Sequence, residues 1–254
     1  MISDTVNLIR MELLKLRRRR GLMAIALLIA VGLVGLMFVV EAIRHGTNPQ
    51  HVHPAGGIRS FEDATDFLGQ IAVVIAAMIG VTASAGDAEL GVLRDSLATG
   101  RSRLGLFATR AVAAVIVTGL LMAASLAVAT ICSLALAGAE PVPSLSEIVQ
   151  RDAAVLAFAV SSALVCTGVA GFARSRGPVM ASLIAFGVLV SQVLLQITFL
   201  GRLRELVPLA SFYRMVGDST KGLHYSLAVA IAGAVAWALA ALAAGGWWAR
   251  RVEV

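Results

Sequence analysis

The sequence predicts an all-α integral membrane protein with six transmembrane helices. Three observations predict it. Of 254 residues, 59% are hydrophobic and only 14% are charged, against roughly a quarter charged in a soluble domain. Six apolar runs cover about 21–40, 67–85, 111–138, 153–173, 179–200 and 223–249, each close to the ~20 residues a helix needs to cross the hydrocarbon core. None of the six contains a proline, and all six prolines fall between them, where a residue without an amide N–H does least harm.

Other classes fail on the same numbers. A mean hydropathy of +0.88 leaves too little polar surface for a soluble domain and too much apolar residue for a disordered one. The runs are Ala, Val and Leu with little period-two alternation, which argues against a membrane β-barrel. The net charge of +6 fits basic loops facing anionic lipid, so no nucleic-acid partner is expected. Cys132 and Cys166 lie in apolar runs and form neither a disulfide framework nor a Cys-x-x-Cys metal spacing.

Residues 1–20 come first. Ile2, Val6, Ile9, Leu13 and Leu16 recur every three or four residues, and Arg10, Glu12, Lys15 and Arg17–Arg20 supply a polar side. That pattern predicts an N-terminal interfacial amphipathic helix with its cations at lipid phosphates. It serves either as an anchor for the first span or as an elbow that also borders a cytosolic partner. The run at 21–40 is longer than the roughly 7–15 residues of a signal peptide's apolar region, so it reads as a retained first span. The rest, 21–254, reads as one six-span transmembrane domain.

Orientation follows from the basic residues. With the N-terminus inside, inner segments hold fourteen Lys and Arg and outer segments seven. The bias places both termini in the cytoplasm. The exception is 201–222, whose Arg202, Arg204, Arg214 and Lys221 are unusually basic for an outer segment.

Charge is absent from the middle of every run; Arg110, Glu41 and His224 sit near the ends. Intramembrane charges usually mark ion or proton pathways, so an ion-driven carrier or a charged-filter channel is not expected. Gln192 and Gln196 are four apart in the fifth run and share a face. They read either as hydrogen-bonding glue between helices, the commoner role, or as a polar lining for a substrate path. Small residues recur every four positions at Ala159, Ala163, Thr167 and Gly171, and again at Ala228, Ala232, Ala236, Ala240 and Ala244. Such stripes let helices approach closely. Trp247 and Trp248 ahead of Arg250 and Arg251 suit an interface anchor.

Enzyme signatures are missing. There is no H-E-x-x-H, no G-x-S-x-G and no G-x-x-x-x-G-K-[ST], and neither Lys15 nor Lys221 follows a phosphate loop. No catalytic residue and no metal ligand is therefore expected. His45, His51, His53 and His224 read as loop histidines, with no carboxylate or thiol at a helical spacing to complete a metal site.

The most informative stretch runs from Gly86 to Arg103. Leu90, Leu93 and Leu97 share a helical face, Asp87 and Glu89 come early and Arg94 later, as the helix dipole favours. A short amphipathic helix on the cytoplasmic side follows, between spans two and three.

Here the sequence resembles the permease subunit of type-2 ABC exporters. That family's pattern between spans two and three is roughly Glu, then Gly-Thr-Leu-Arg, then Leu-Leu-Ala-x-Pro, then Ser-Arg and an apolar run closed by a basic residue. Glu89, Gly91, Leu93, Arg94, Leu97, Ala98, Ser102, Arg103 and Arg110 match it in order, while Val92, Ser96 and Gly100 depart from Thr, Leu and Pro. The motif covers about 87–110; beyond that the resemblance is one of topology. It implies a cytoplasmic coupling helix whose Glu89, Leu90, Gly91, Leu93, Arg94, Leu97 and Arg103 engage an ATPase. It also implies a bacterial cytoplasmic-membrane complex of two permeases, a second copy or a homologous chain, with two cytosolic ABC ATPase subunits. ATP and Mg would be bound by those partners and no cofactor by this chain. The resemblance further implies that 201–222 forms short re-entrant or surface helices around Pro208, through Leu203, Leu206, Val207, Phe212, Tyr213 and Met215.

Three functions compete: an ATP-driven exporter permease, a non-transporting membrane accessory or sensor that binds a cytosolic partner, and a membrane enzyme acting on lipid. The uncharged spans weaken the last.

Overall fold

The computed structural model describes residues 2–89, 102–173, 175–217 and 225–251, and their regular structure is helical throughout. Helix α1 is Ile2–Arg18 and α2 is Arg20–Thr47; α3 is Gly57–Glu89, α4 is Arg103–Ala135 and α5 is Leu145–Ala170. Then come α6, Arg176–Gln196, a 3-10 segment Thr198–Leu206, α7, Pro208–Val216, and α8, Leu227–Arg251. Six of these, α2 to α6 and α8, are long and apolar enough to cross a membrane. The chain is a multi-pass, all-helical membrane protein.

The six run alternately up and down between two chemically different ends. At the basic end lie α1, Arg19, Arg103, Arg176 and Arg250; at the acidic end lie Glu41, Glu62, Asp63, Asp66, Glu140 and Asp152. Close contacts fix this arrangement. Arg19 approaches Gly86 at the basic end, and Gly56 abuts Leu136 and Ala137 at the acidic end.

Helix α3 is the spine. Phe61, Leu68, Ile75 and Ile79 are fully buried along it, with α4 and α5 packed on either side. Glycine makes this possible: a Cβ at Gly80 would lie 2.9 Å from Thr167 Oγ1 and 3.1 Å from the Ala163 carbonyl oxygen. Ala159, Ala163 and Thr167, three members of the first small-residue stripe, are fully buried. The second stripe is corrected. Ala228, Ala232, Ala236, Ala240 and Ala244 are exposed, and α8 packs instead through Ala230, Ala234, Ala238 and Gly245. Both sets recur at near-helical spacing in an Ala-rich helix, so period alone could not choose between faces. Gly168 of α5, against the Ala241 backbone, decides it.

The helices outlast the apolar runs. Helix α3 starts at Gly57 rather than about 67, carrying Glu62, Asp63 and Asp66 in its first turns. Helix α5 starts at Leu145, eight residues before the expected 153, under a capping box in which Ser144 and Glu147 satisfy each other's amides. Helix α4 starts at Arg103 under the Ser102 hydroxyl, which accepts from the Gly105 amide at 3.1 Å. In α1, Leu16 is buried as expected, but Val6 is exposed and Glu12, assigned to the polar side, is 7% exposed. Glu12 lies three residues after Ile9 and four before Leu16, at the border of the same stripe. Lys15 Nζ, 2.9 Å from its Oε1, offsets its charge.

Two spans contain π-helical stretches, Leu28–Gly32 in α2 and Ala185–Val190 in α6. The second is served by Ser191, whose hydroxyl donates to the Phe186 carbonyl at 2.8 Å.

Candidate functional site

Between α6 and α8 the chain turns back into the bundle. After Gln196 the 3-10 segment begins, kinked at Gly201 with φ 50°. Pro208 then opens α7 at a position where its missing N–H costs nothing, and Gly217 closes it in the left-handed conformation, φ 84°. Depth follows from the contacts. Phe212 stacks 5.1 Å from Phe158 and presses on Gly69. Gly69 lies twelve residues into α3, about 18 Å at 1.5 Å per residue. The turn at Leu206 lies at Trp237, whose indole N–H donates to the Leu206 carbonyl at 2.8 Å. Trp237 is ten residues into α8, about 15 Å in. The 3-10 segment descends and α7 rises: a re-entrant hairpin.

Irregular backbone at membrane depth is tolerated only where protein or water satisfies it. The Trp237–Leu206 bond does this at the turn. The apolar side of α7, Leu209, Ala210, Phe212, Tyr213, Met215 and Val216, is buried. Arg214 leaves that face and donates through Nε to the Tyr225 carbonyl at 2.6 Å. Burial pushes the Tyr225 phenol up to about 12, against a smaller opposing pull from the Ser211 hydroxyl, so it stays protonated. The 3-10 segment is the opposite case. Phe199, Leu203 and Leu206 are 96%, 64% and 65% exposed, and Arg202 is exposed beside them.

A cavity of about 190 Å³ lies at the turn of the hairpin between α5, α6 and α8, bounded by Phe158, Ser161, Ser191, Pro208 and Trp237. A larger apolar groove, about 570 Å³, runs between α5 and α8 from Gln150 to Leu239. Of the two expected path glutamines, Gln192 donates to the Tyr213 hydroxyl at 2.9 Å, while Gln196 is exposed. The bond holds α6 to α7, which is the helix-gluing geometry.

At the acidic end, Arg151 of α5 is the hub. Its guanidinium reaches Glu62 Oε1 at 2.8 Å, Thr65 Oγ1 at 3.1 Å and Asp66 Oδ1 at 3.3 Å, and its side chain is 13% exposed. Glu62 and Asp66, four apart on α3, present both carboxylates to one partner. The apolar run expected from 153 leaves Arg151 among the outer basic residues, before the span; the Glu62–Thr65–Asp66 spacing ahead of the second run is the signal for its role. The connections are tied as well. Arg59 Nη1 donates to His53 Nε2 at 2.9 Å and His53 Nδ1 lies 3.4 Å from Glu140. His45 and His51 bond separately, to the Val52 carbonyl and the Asn48 side chain. Among the described residues no group of three or more His, Cys, Asp and Glu could hold a metal ion.

Of the expected coupling residues, Glu89 ends α3 and Arg103 begins α4. Leu90, Gly91, Leu93, Arg94 and Leu97 lie outside the described residues. The closing Arg110 is buried, its Nη1 3.5 Å from the Ser84 carbonyl, and so joins α4 to α3 at the basic end. No protein-family model matches the chain, and no curated protein matches its sequence.

Proposed function

We propose that this chain is the transmembrane permease subunit of an ATP-driven exporter of the type-2 ABC class. It works with two cytosolic ATPase subunits and a second permease in a bacterial cytoplasmic membrane. The basic end, with both termini, faces the cytoplasm, as the distribution of Lys and Arg favours. There α1 is the interfacial amphipathic helix. The link between α3 and α4 is the coupling helix, with Leu93 and Leu97 as its anchors in the ATPase. The observation that carries the reading is the re-entrant hairpin between the fifth and sixth spans. Hydropathy alone gives no reason for a segment there to turn back into the bundle, and the family resemblance implies short re-entrant or surface helices there. The charge-free centres of the spans agree, since energy from ATP removes the need for a proton or sodium relay.

Purification of the tagged full chain from its native membrane tests the proposal. A separate ATPase chain should come with it, and the chain stripped of that partner should hydrolyse no ATP, having no phosphate loop. Leu93→Asp should release the ATPase while leaving the permease folded. A partner without ATPase activity would favour the accessory or sensor reading and overturn this one.

A further inference from the structure

A second groove, about 490 Å³, lies between α2 and α3 at the acidic end. Leu33, Leu36, Met37 and Val40 of α2 and Phe67 of α3 form its apolar wall, and Glu41, Arg44 and Asp63 its polar end. The α2 residues recur every three or four positions, so they make one continuous face. From Leu33 to Val40 is seven residues, about 10 Å of helix, most of one leaflet of a hydrocarbon core about 30 Å thick. The groove is therefore apolar along most of a leaflet and charged where a lipid head would sit.

Glu41 and Arg44 are three apart, a spacing that brings opposite charges together, and Arg44 lies close enough to attract the Glu41 carboxylate. Glu41 also turns to the Ser60 hydroxyl of α3, with Asp63 close enough to repel it. Its Oε2 is shut off from water and has no hydrogen-bond partner. Arg44 is exposed. Two carboxylates and a guanidinium thus stand side by side at the mouth of the apolar groove. A ligand cation there would meet Glu41 and Asp63, and a ligand anion would meet Arg44.

We propose that this groove binds one aminophospholipid. Its tail lies along Leu36 and Phe67, its phosphate meets Arg44, and its primary ammonium meets Glu41 and Asp63. A guanidinium suits a phosphate. A primary ammonium donates hydrogen bonds to carboxylates that a trimethylammonium cannot. An anionic lipid without an ammonium would offer the phosphate alone and meet two carboxylates of its own sign. The inference stands apart from the transport reading, because it concerns lipid retained by the purified chain with no ATPase present.

The test is native mass spectrometry of the full chain after incubation with equal amounts of phosphatidylethanolamine, phosphatidylcholine and phosphatidylglycerol of the same acyl chains. Phosphatidylethanolamine should be retained about tenfold over each of the others, the worth of one charge-assisted hydrogen bond. Glu41→Gln should remove that preference, while Glu140→Gln, at the same end but outside the groove, should keep it. Leu36→Trp, at a position 55% exposed and thus tolerant of bulk, should reduce retention of the preferred lipid by filling the groove. Equal retention of the three lipids by the unaltered chain would overturn the proposal. So would a preference that survives both Glu41→Gln and Leu36→Trp, since the lipid would then sit elsewhere.

Discussion

Helices α3 and α6 are alike in hydropathy and opposite in use. Their most apolar stretches have mean hydropathies of 2.0 and 2.1, yet 78% of the first is buried and 11% of the second. Lipid tails are as apolar as leucine, so hydropathy brings a helix into the membrane without packing it against another. Packing follows small residues and polar links. Helix α3 has Gly69 against Phe212 and Gly80 against Thr167, with buried alanines at Ala72, Ala76 and Ala77 between them and Ala64 and Ala83 on either side. Helix α6 has no buried residue before Ser191, and its α-helical hydrogen bonding gives way to a π stretch. The first is a frame. The second is a loosely held arm that leads directly into the re-entrant hairpin.

The comparison is broken most easily by enlarging glycines on the two helices. Gly80→Leu would force its side chain into Thr167 and the Ala163 carbonyl, overpacking that costs about 3 kcal/mol. Gly177→Leu in α6 has nothing within 4 Å of its Cβ and should change stability by less than about 0.5 kcal/mol. Unfolding of the purified chain in mixed micelles measures both. Equal effects would show that α3 is not the spine. A smaller loss should follow Arg151→Met, which removes the guanidinium that bridges Glu62 and Asp66. Breaking a buried pair costs about 3–5 kcal/mol. These carboxylates are 46% and 35% exposed, so water recovers part of it and about 2 kcal/mol is expected. Glu62→Gln with Asp66→Asn in the same chain should restore much of the loss, because the carboxylate charge that Arg151 offset is then gone.

What was legible in the sequence divides along the same line. Six spans were readable because crossing a membrane is a matter of length and apolarity, and proline marked the gaps. Helix starts were less readable. Residues 57–66 are polar enough to pass for a loop, and Arg151, which binds Glu62 and Asp66 on the helix, is far away in sequence. The packed face of α8 was misread because Ala228–Ala244 and Ala230–Ala238 have equal claims by period. Which one packs depends on Gly168 of another helix. Leu16 was readable from spacing and the burial of Glu12 was not, because the packing of α1 on α4 cannot be read from residues 1–20. For the site, Gln192 was noticed for its chemistry, but its partner Tyr213 lies across a hairpin whose return depends on Gly201 and Pro208 together.

The arm itself is sharpened by a smaller change. Ser191→Ala removes the hydroxyl bond to the Phe186 carbonyl, worth about 1 kcal/mol. Amide exchange should rise between Ala185 and Ser191 while α3 stays protected. An equal rise in both would mean that the arm and frame open as one unit.

The smallest expected effect is at the outer side of α6. Leu189 and Val193 are 65% and 58% exposed and lie four apart on one face. In the isolated chain they touch little, so Leu189→Ala with Val193→Ala should shift unfolding by no more than about 0.5 kcal/mol. If the second permease of the proposed complex covers this face, the same pair of changes should weaken association. Each truncated side chain would then forfeit apolar burial worth roughly 1.5–3 kcal/mol when complete. The readout is the molar mass of the chain by light scattering across a dilution series. A dimer that dissociates earlier in the variant, with unfolding unchanged, assigns the exposed side of α6 to the partner. An unchanged dimer would mean that α6 is bare because lipid covers it, and the search for the contact would pass to the exposed face of α2.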